Sequence, residues 1–219
     1  MLNNLIYKNK ICRKNMSIGH PQDYREAPGL VAYEHAHGKK VVLARGTFDV
    51  GVNLGHRDFL KRAKELGDVL IVNVNNDIWV RDHKKEKYSI EVPVVPERER
   101  AMLVADQEMV DYVFVHPAHA DIHPSIVLAI ECSPNVPDVL AREDKDPQII
   151  EIEKKQLFRS LGYIPDMRAL TRSSYNISTS SIINAIAGRV QTKSVEEILN
   201  ELGIIYDKNQ LSKLLKNKD

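Results

Sequence analysis

Cysteine is nearly absent from this chain: there are two in 219 residues, Cys12 and Cys132. So few, so far apart, exclude a disulfide framework and a zinc-ligand spacing, and they suit a reducing compartment. No apolar run approaches the roughly 18 residues that a membrane span requires. An excess of one charge is missing too, since 31 Lys plus Arg stand against 30 Asp plus Glu, for a net charge of +1. That balance argues against a dedicated nucleic-acid binder. The start, Met1 to Lys14, carries Lys8, Lys10, Arg13 and Lys14 and no acid, but it has no apolar stretch of the secretory kind. A mitochondrial address stays open as the alternative, although serine and arginine are sparse there. It reads as a solvated tail, with Met16 as an alternative start, and the expected location is the cytoplasm. Internal repeats and low-complexity tracts are also lacking.

What is present is an ordinary globular composition, 43% hydrophobic and 28% charged, long enough for one domain with appendages. Residues 1–38 show no clear period and read as an N-terminal extension. From Lys39 to about residue 190, strand-like and helix-like runs alternate. The strands expected are Val41–Arg45, Val69–Val74, Tyr112–Val115, Asp138–Ala141 and a fifth within Pro165–Leu170. Helical spacing follows at Phe59, Leu60, Ala63 and Leu66, then after Pro96, over Pro124–Ile130, over Pro147–Leu161 and from Ile177. The polar stretch Asn75 to Glu91 reads as a basic loop. Residues 191–219 read as a tail of two short helices. Such alternation predicts a mostly parallel α/β sheet covered on both faces, with ligands collecting at the carboxyl ends of the strands.

Gly46-Thr47-Phe48-Asp49 lies at one such end, and Asn53-Leu54-Gly55-His56 follows it into a helix. A glycine-containing strand-to-helix turn aims free N–H groups and the positive end of a helix dipole at one point. A histidine there is placed to touch a polyphosphate. The turn resembles the GTFD-x-x-H-x-G-H signature of the cytidylyltransferase-like nucleotidyltransferases. Asn53 stands where the first histidine would be, and one extra residue separates Asp49 from Asn53. An amide can donate a hydrogen bond but carries no proton usable at neutral pH.

The resemblance continues. Ile177-Ser178-Thr179-Ser180 matches the I-S-T-[ST] segment that closes the family's catalytic domain, and Arg172 stands for its upstream arginine, again with one extra residue between. Pro93-Val94-Val95-Pro96, with Arg100 beyond it, resembles a segment shared with the heptose-phosphate adenylyltransferase branch. Taken without the family, Arg100 reads as a surface helix residue paired with Glu97 or Glu99. Pro137 to Asp144 resembles a P-D-x-x-[VY]-[KM]-G-x-D strand end, with Arg142 and Glu143 replacing lysine or methionine and glycine. His116, His119 and His123 read as loop histidines, because Pro117 and Pro124 break any helical spacing between them.

The resemblance implies a Rossmann-like domain that moves a nucleotidyl group from a nucleoside triphosphate to a small phosphorylated acceptor and releases pyrophosphate. It implies phosphate contact and catalysis by His56, Asn53, Lys84, Lys85 and Arg172. It implies nucleotide binding by Gly46, Thr47, Phe48, Asp49, Gly55, Arg142, Asp144, Ser178, Thr179 and Ser180. Asp49 would orient the loop or lie near a metal ion. Mg²⁺ would be carried mainly by the triphosphate, with few protein ligands. CTP is the first expectation, because the serine-threonine segment resembles that of cytidylyltransferases; ATP comes second, because the Pro-Val-x-Pro segment is shared with the adenylyltransferase branch. Phosphocholine, phosphoethanolamine, glycerol phosphate and sugar phosphates are all open as acceptors, and a homodimer is expected. The competing reading, motivated by Asn53 and the two insertions, is a nucleotide-binding homologue of impaired activity with a regulatory role. A plain α/β interaction module is the third.

Overall fold

The alternating runs become five parallel strands in one sheet. The computed structural model describes residues 23–84, 91–116, 124–143, 147–170 and 182–185. The strands are β1 (Val41–Gly46), β2 (Val69–Asn75), β3 (Tyr112–His116), β4 (Val139–Glu143) and β5 (Asp166–Leu170), in the order β3-β2-β1-β4-β5. Around them lie α1 (Ala27–Ala36), α2 (Leu54–Lys64), α3 (Asp77–Lys84), α4 (Glu97–Ala105), α5 (Pro124–Glu131) and α6 (Pro147–Leu161). The chain steps outward from β1 to β3, then returns to place β4 on the other side of β1. The strand order therefore reverses at β1, and the crevice between the carboxyl ends of β1 and β4 is the switch point where α/β sheets of this kind bind ligands.

The strands are apolar on both faces because helices cover both. Val41 and Leu43 of β1 point one way, into a core shared with Ile71, Phe114, Leu140, Ile126 and Leu157. Val42 and Ala44 point the other way, to Leu70 and Val72 and to Phe59, Leu60 and Ala63 of α2. Cys132 belongs to the first core, and burial, with Glu131 nearby, pushes its thiol pKa up to about 12. Gly67 sits where a helix C-cap would be, but it serves by close approach: a Cβ there would lie 2.7 Å from the Lys40 carbonyl oxygen.

Two expectations are corrected by the fold. Residues 1–38 are not an extension throughout, because α1 lies within them and buries Ala27 and Val31 completely. Its Glu34 accepts a hydrogen bond from the Tyr112 hydroxyl (2.9 Å), and His35 Nε2 meets Asp138 Oδ2 at 3.0 Å. The helix gave no stripe to read because what it buries is Ala27, Val31 and a glutamate. Likewise, the basic loop expected from Asn75 begins with helix α3. Asn76 starts it, its Oδ1 accepting the Trp79 N–H at 2.7 Å, an ordinary asparagine cap. The chain divides into Met1–Thr179 and Ser180–Asp219. Residues 182–185 of the second unit are helical, and the expected tail helices lie outside the described residues.

Candidate active site

The turn after β1 is bent through the left-handed region. Phe48 and Val50 both have φ 54°, and Gly51 has φ 92°. For a β-branched residue such as Val50 this is a strained conformation, costing of the order of 1–3 kcal/mol. Asp49 holds it in place. Its buried carboxylate accepts the N–H groups of Val50 (3.0 Å), Val94 (2.9 Å to Oδ2) and Val95 (2.9 Å). Of its two expected roles, then, the geometry matches loop orientation. Phe48 is buried and folds back over Gly46, where a Cβ would lie 2.6 Å from its ring. Gly46 is thus required by the packing of the turn.

The extra residue between Asp49 and Asn53 is accommodated within this turn, and Asn53 still reaches the head of α2. Its Oδ1 accepts the His56 N–H (3.0 Å), and His56 Nδ1 accepts the Asn53 N–H (3.3 Å), a reciprocal capping box. The consequence is chemical. With Nδ1 occupied as an acceptor, the neutral imidazole carries its proton on Nε2. Phe48 braces the ring edge-on, centroid to centroid 5.0 Å. Asn53 spends its oxygen on the cap, while its Nδ2 is buried and has no hydrogen-bond partner. Gly55 lies in the first turn of the same helix.

Thr47 is where three elements meet. Its hydroxyl accepts from Lys84 Nζ of α3 (2.8 Å) and from Asn75 Nδ2 of β2 (2.9 Å). Its carbonyl accepts from Arg100 Nη1 of α4. Arg100, which takes the place of the final arginine of the family segment and whose alternative reading is a surface helix residue, is fully buried. Its remaining donors reach the carbonyls of Val95 (2.8 Å) and Asn75 (2.9 Å) and the carboxylate of Asp77 (2.6 Å). One guanidinium thus fixes the ends of β1 and β2, the start of α3 and the loop before α4. The sequence signal was the Pro-Val-x-Pro…Arg spacing; the burial was not readable from it.

At the strand end of β4 the guanidinium of Arg142 has a partner of its own. Arg142 pairs with Glu153 of α6, which is itself buried, so its charge is already matched within the protein. Asp138 pins the first strand, accepting the Val41 N–H at 2.7 Å. Lys84, Thr47, Asn53 and His56 therefore converge on one turn. Lys85, Asp144, Arg172, Ser178, Thr179 and Ser180 lie outside the described residues.

The sheet order and this turn define the class, a Rossmann-like α/β domain with a polar, strained turn feeding a helix N-terminus. Residues 43–185 match the cytidylyltransferase-like family, and the chain belongs to it; its α/β core is a nucleotidyltransferase domain. Similar proteins include bifunctional protein HldE of a Nitratiruptor species, 42% identical over 94 residues, 43% of this chain and 19% of that one. Bifunctional protein HldE of Helicobacter pylori (strain Shi470) is 37% identical over 113 residues, 52% of this chain and 22% of that one. The chain thus spans only about a fifth of the length of these relatives. A solved lipopolysaccharide core biosynthesis protein from Thermoplasma volcanium GSS1 aligns over 64% of this chain and 100% of its own, at 25% identity and a TM-score of 0.49.

Proposed function

We propose that the domain transfers a nucleotidyl group from ATP or CTP to a small phosphorylated acceptor. An acceptor phosphate oxygen attacks the α-phosphorus, the bond to the bridging oxygen breaks, and pyrophosphate leaves with the electron pair. The attacking oxygen is already anionic, so no base is needed. The chain's task is to position the phosphates and stabilise charge. His56 Nε2–H, Asn53 Nδ2 and the first-turn N–H groups of α2 face the phosphates, and Lys84 brings an ammonium to the same turn.

The observation that carries this reading is the buried, unpartnered Nδ2 of Asn53 beside His56. It is a donor at the position of the family's first histidine. Of the two triphosphates ATP is now favoured over CTP, because the Pro93–Pro96 segment resembles the adenylyltransferase branch. A sugar phosphate is the corresponding acceptor. Among the described residues no group of three His, Cys, Asp or Glu is placed to hold a metal, and Asp49 is engaged by backbone N–H groups. Mg²⁺ would arrive with the triphosphate. The family resemblance supports a cytoplasmic homodimer. Among the described residues no helix is long and apolar enough to cross a membrane.

The direct test is pyrophosphate release with ATP and CTP separately against pooled small phosphate acceptors. Acceptor-dependent release with one triphosphate is expected. Silence in every combination, with nucleotide still raising the melting temperature, would favour the non-catalytic binder. Asn53 supplies a finer test. Asn53→Ala removes the cap and should cost about 1 kcal/mol. Asn53→Asp keeps the capping oxygen but loses the donor and adds a negative charge. It should retain the urea midpoint and bind triphosphate about tenfold more weakly. Wild-type affinity in Asn53→Asp would remove Asn53 from the phosphate site.

A further inference from the structure

A second cation stands at the switch point, and the turn does not use it. Arg45 precedes Gly46 in β1 and registers with Asn73 of β2. Ala44 registers with Ala141 of β4, so Arg142 is the neighbour of Arg45 across the crevice. Strand alternation puts Arg45 on the face of Val41 and Leu43, the sheet face opposite α2. It is therefore set apart from the capped head of α2.

The two arginines are not equivalent. Arg142 has Glu153 as a buried counter-ion. Arg45 has no ion pair among the described residues; its Cζ lies 5.3 Å from the centroid of the Trp79 ring, and its Nη1 is buried without a hydrogen-bond partner. Burial, and then the like charge of Arg142, bring its pKa down to about 10, so it is still a cation at neutral pH. A desolvated guanidinium beside another cation is destabilising unless an anion joins it. The place of that anion is the crevice where α/β sheets take their ligands.

Nucleotidyl transfer to a phosphate brings together two anions that repel each other. The triphosphate has the head of α2 and Lys84. The attacking phosphate needs its own cation on the other side of the α-phosphorus. We infer that Arg45, stacked on Trp79 at the β1/β4 switch point, holds an oxyanion of the acceptor, its phosphate; the acceptor assignment rests on the transfer reading proposed above. Arg45 is a substrate-positioning cation, planar and fork-shaped as phosphate binding favours.

Trp79 is the single tryptophan of the chain; Arg45 lies over its ring and His83 stacks on it at 4.4 Å, so its fluorescence reports on this immediate neighbourhood. Inorganic phosphate is titrated into the full chain, wild type, Arg45→Gln and Arg45→Lys, with and without saturating ATP or CTP. In the wild type, phosphate should change Trp79 emission, and it should do so with triphosphate bound. Arg45→Gln should weaken the phosphate response by about tenfold or more. The same variant should melt no lower than wild type, because a half-buried cation without a counter-ion has been removed, and its melting temperature should rise with triphosphate as in wild type. Arg45→Lys, which keeps the charge without the fork, should fall between. Equal phosphate affinity in all three overturns the inference, as does a lowered melting temperature in Arg45→Gln with an intact phosphate response, which would mark a purely structural stack. Phosphate displaced by triphosphate overturns the acceptor assignment, because Arg45 would then be reading the nucleotide. Arg45-dependent phosphate binding in a chain that binds no triphosphate would overturn the transfer reading and the acceptor assignment with it, leaving an anion site.

Discussion

Arg100→Met is expected to destabilise the domain by about 3–5 kcal/mol, the cost typical of breaking a buried charged pair from one side. The guanidinium is fully buried and donates to three carbonyls and to Asp77. Methionine matches its bulk and none of its donors. The carbonyls of Thr47, Asn75 and Val95 and the Asp77 carboxylate would be left without this partner, and such groups are costly when dry. Urea denaturation measures the loss, and a double-mutant cycle with Asp77→Asn should recover part of it, since the two residues share one interaction. Activity should fall further than stability alone explains, because the Thr47 carbonyl sits in the turn itself. A urea midpoint unchanged by Arg100→Met would show that the guanidinium is not the pin described here.

His56→Gln is expected to lower kcat by about 10²–10³, the loss seen when a single donor to a developing oxyanion is removed. Glutamine is chosen because it is a favoured third residue of a capping box. Its side-chain oxygen can accept the Asn53 N–H, as His56 Nδ1 does at 3.3 Å, so α2 keeps its cap. What disappears is the imidazole Nε2 donor at its own reach, with its capacity to become a cation; the glutamine N–H₂ that replaces it is a neutral donor on a different geometry. The expected signature is therefore an unchanged melting temperature, a small change in KM for triphosphate and a large fall in kcat. His56→Ala removes donor and cap together and should lose both stability and rate. Full activity in His56→Gln would reduce His56 to a capping residue.

The α/β class was legible because a buried parallel strand has a local signature. Val41–Arg45 and Val69–Val74 are continuous apolar or β-branched runs ended by polar residues, and each became a strand within one residue of its expected bounds. The turn was legible for a similar reason: Gly-Thr-Phe-Asp and Asn-x-Gly-His are short, contiguous patterns. Helix α1 was not, since only its partners in the fold show that Ala27, Val31 and Glu34 form its buried side. Helix α3 was hidden beneath its charges, which follow solvation and say little about backbone conformation.

By itself the sequence determined the alternation of elements, the glycine-bearing turn after β1 and the histidine that follows it, because each depends on residues adjacent along the chain. Tertiary structure alone decided that Arg100 is a buried pin, that Lys84 reaches Thr47, that Arg142 is neutralised by Glu153 while Arg45 is not, and that Asn53 divides its amide between a cap and an unspent donor. Each of these depends on which distant groups share a dry space. Burial and charge pairing are properties of that space, fixed only when strands remote in sequence lie side by side.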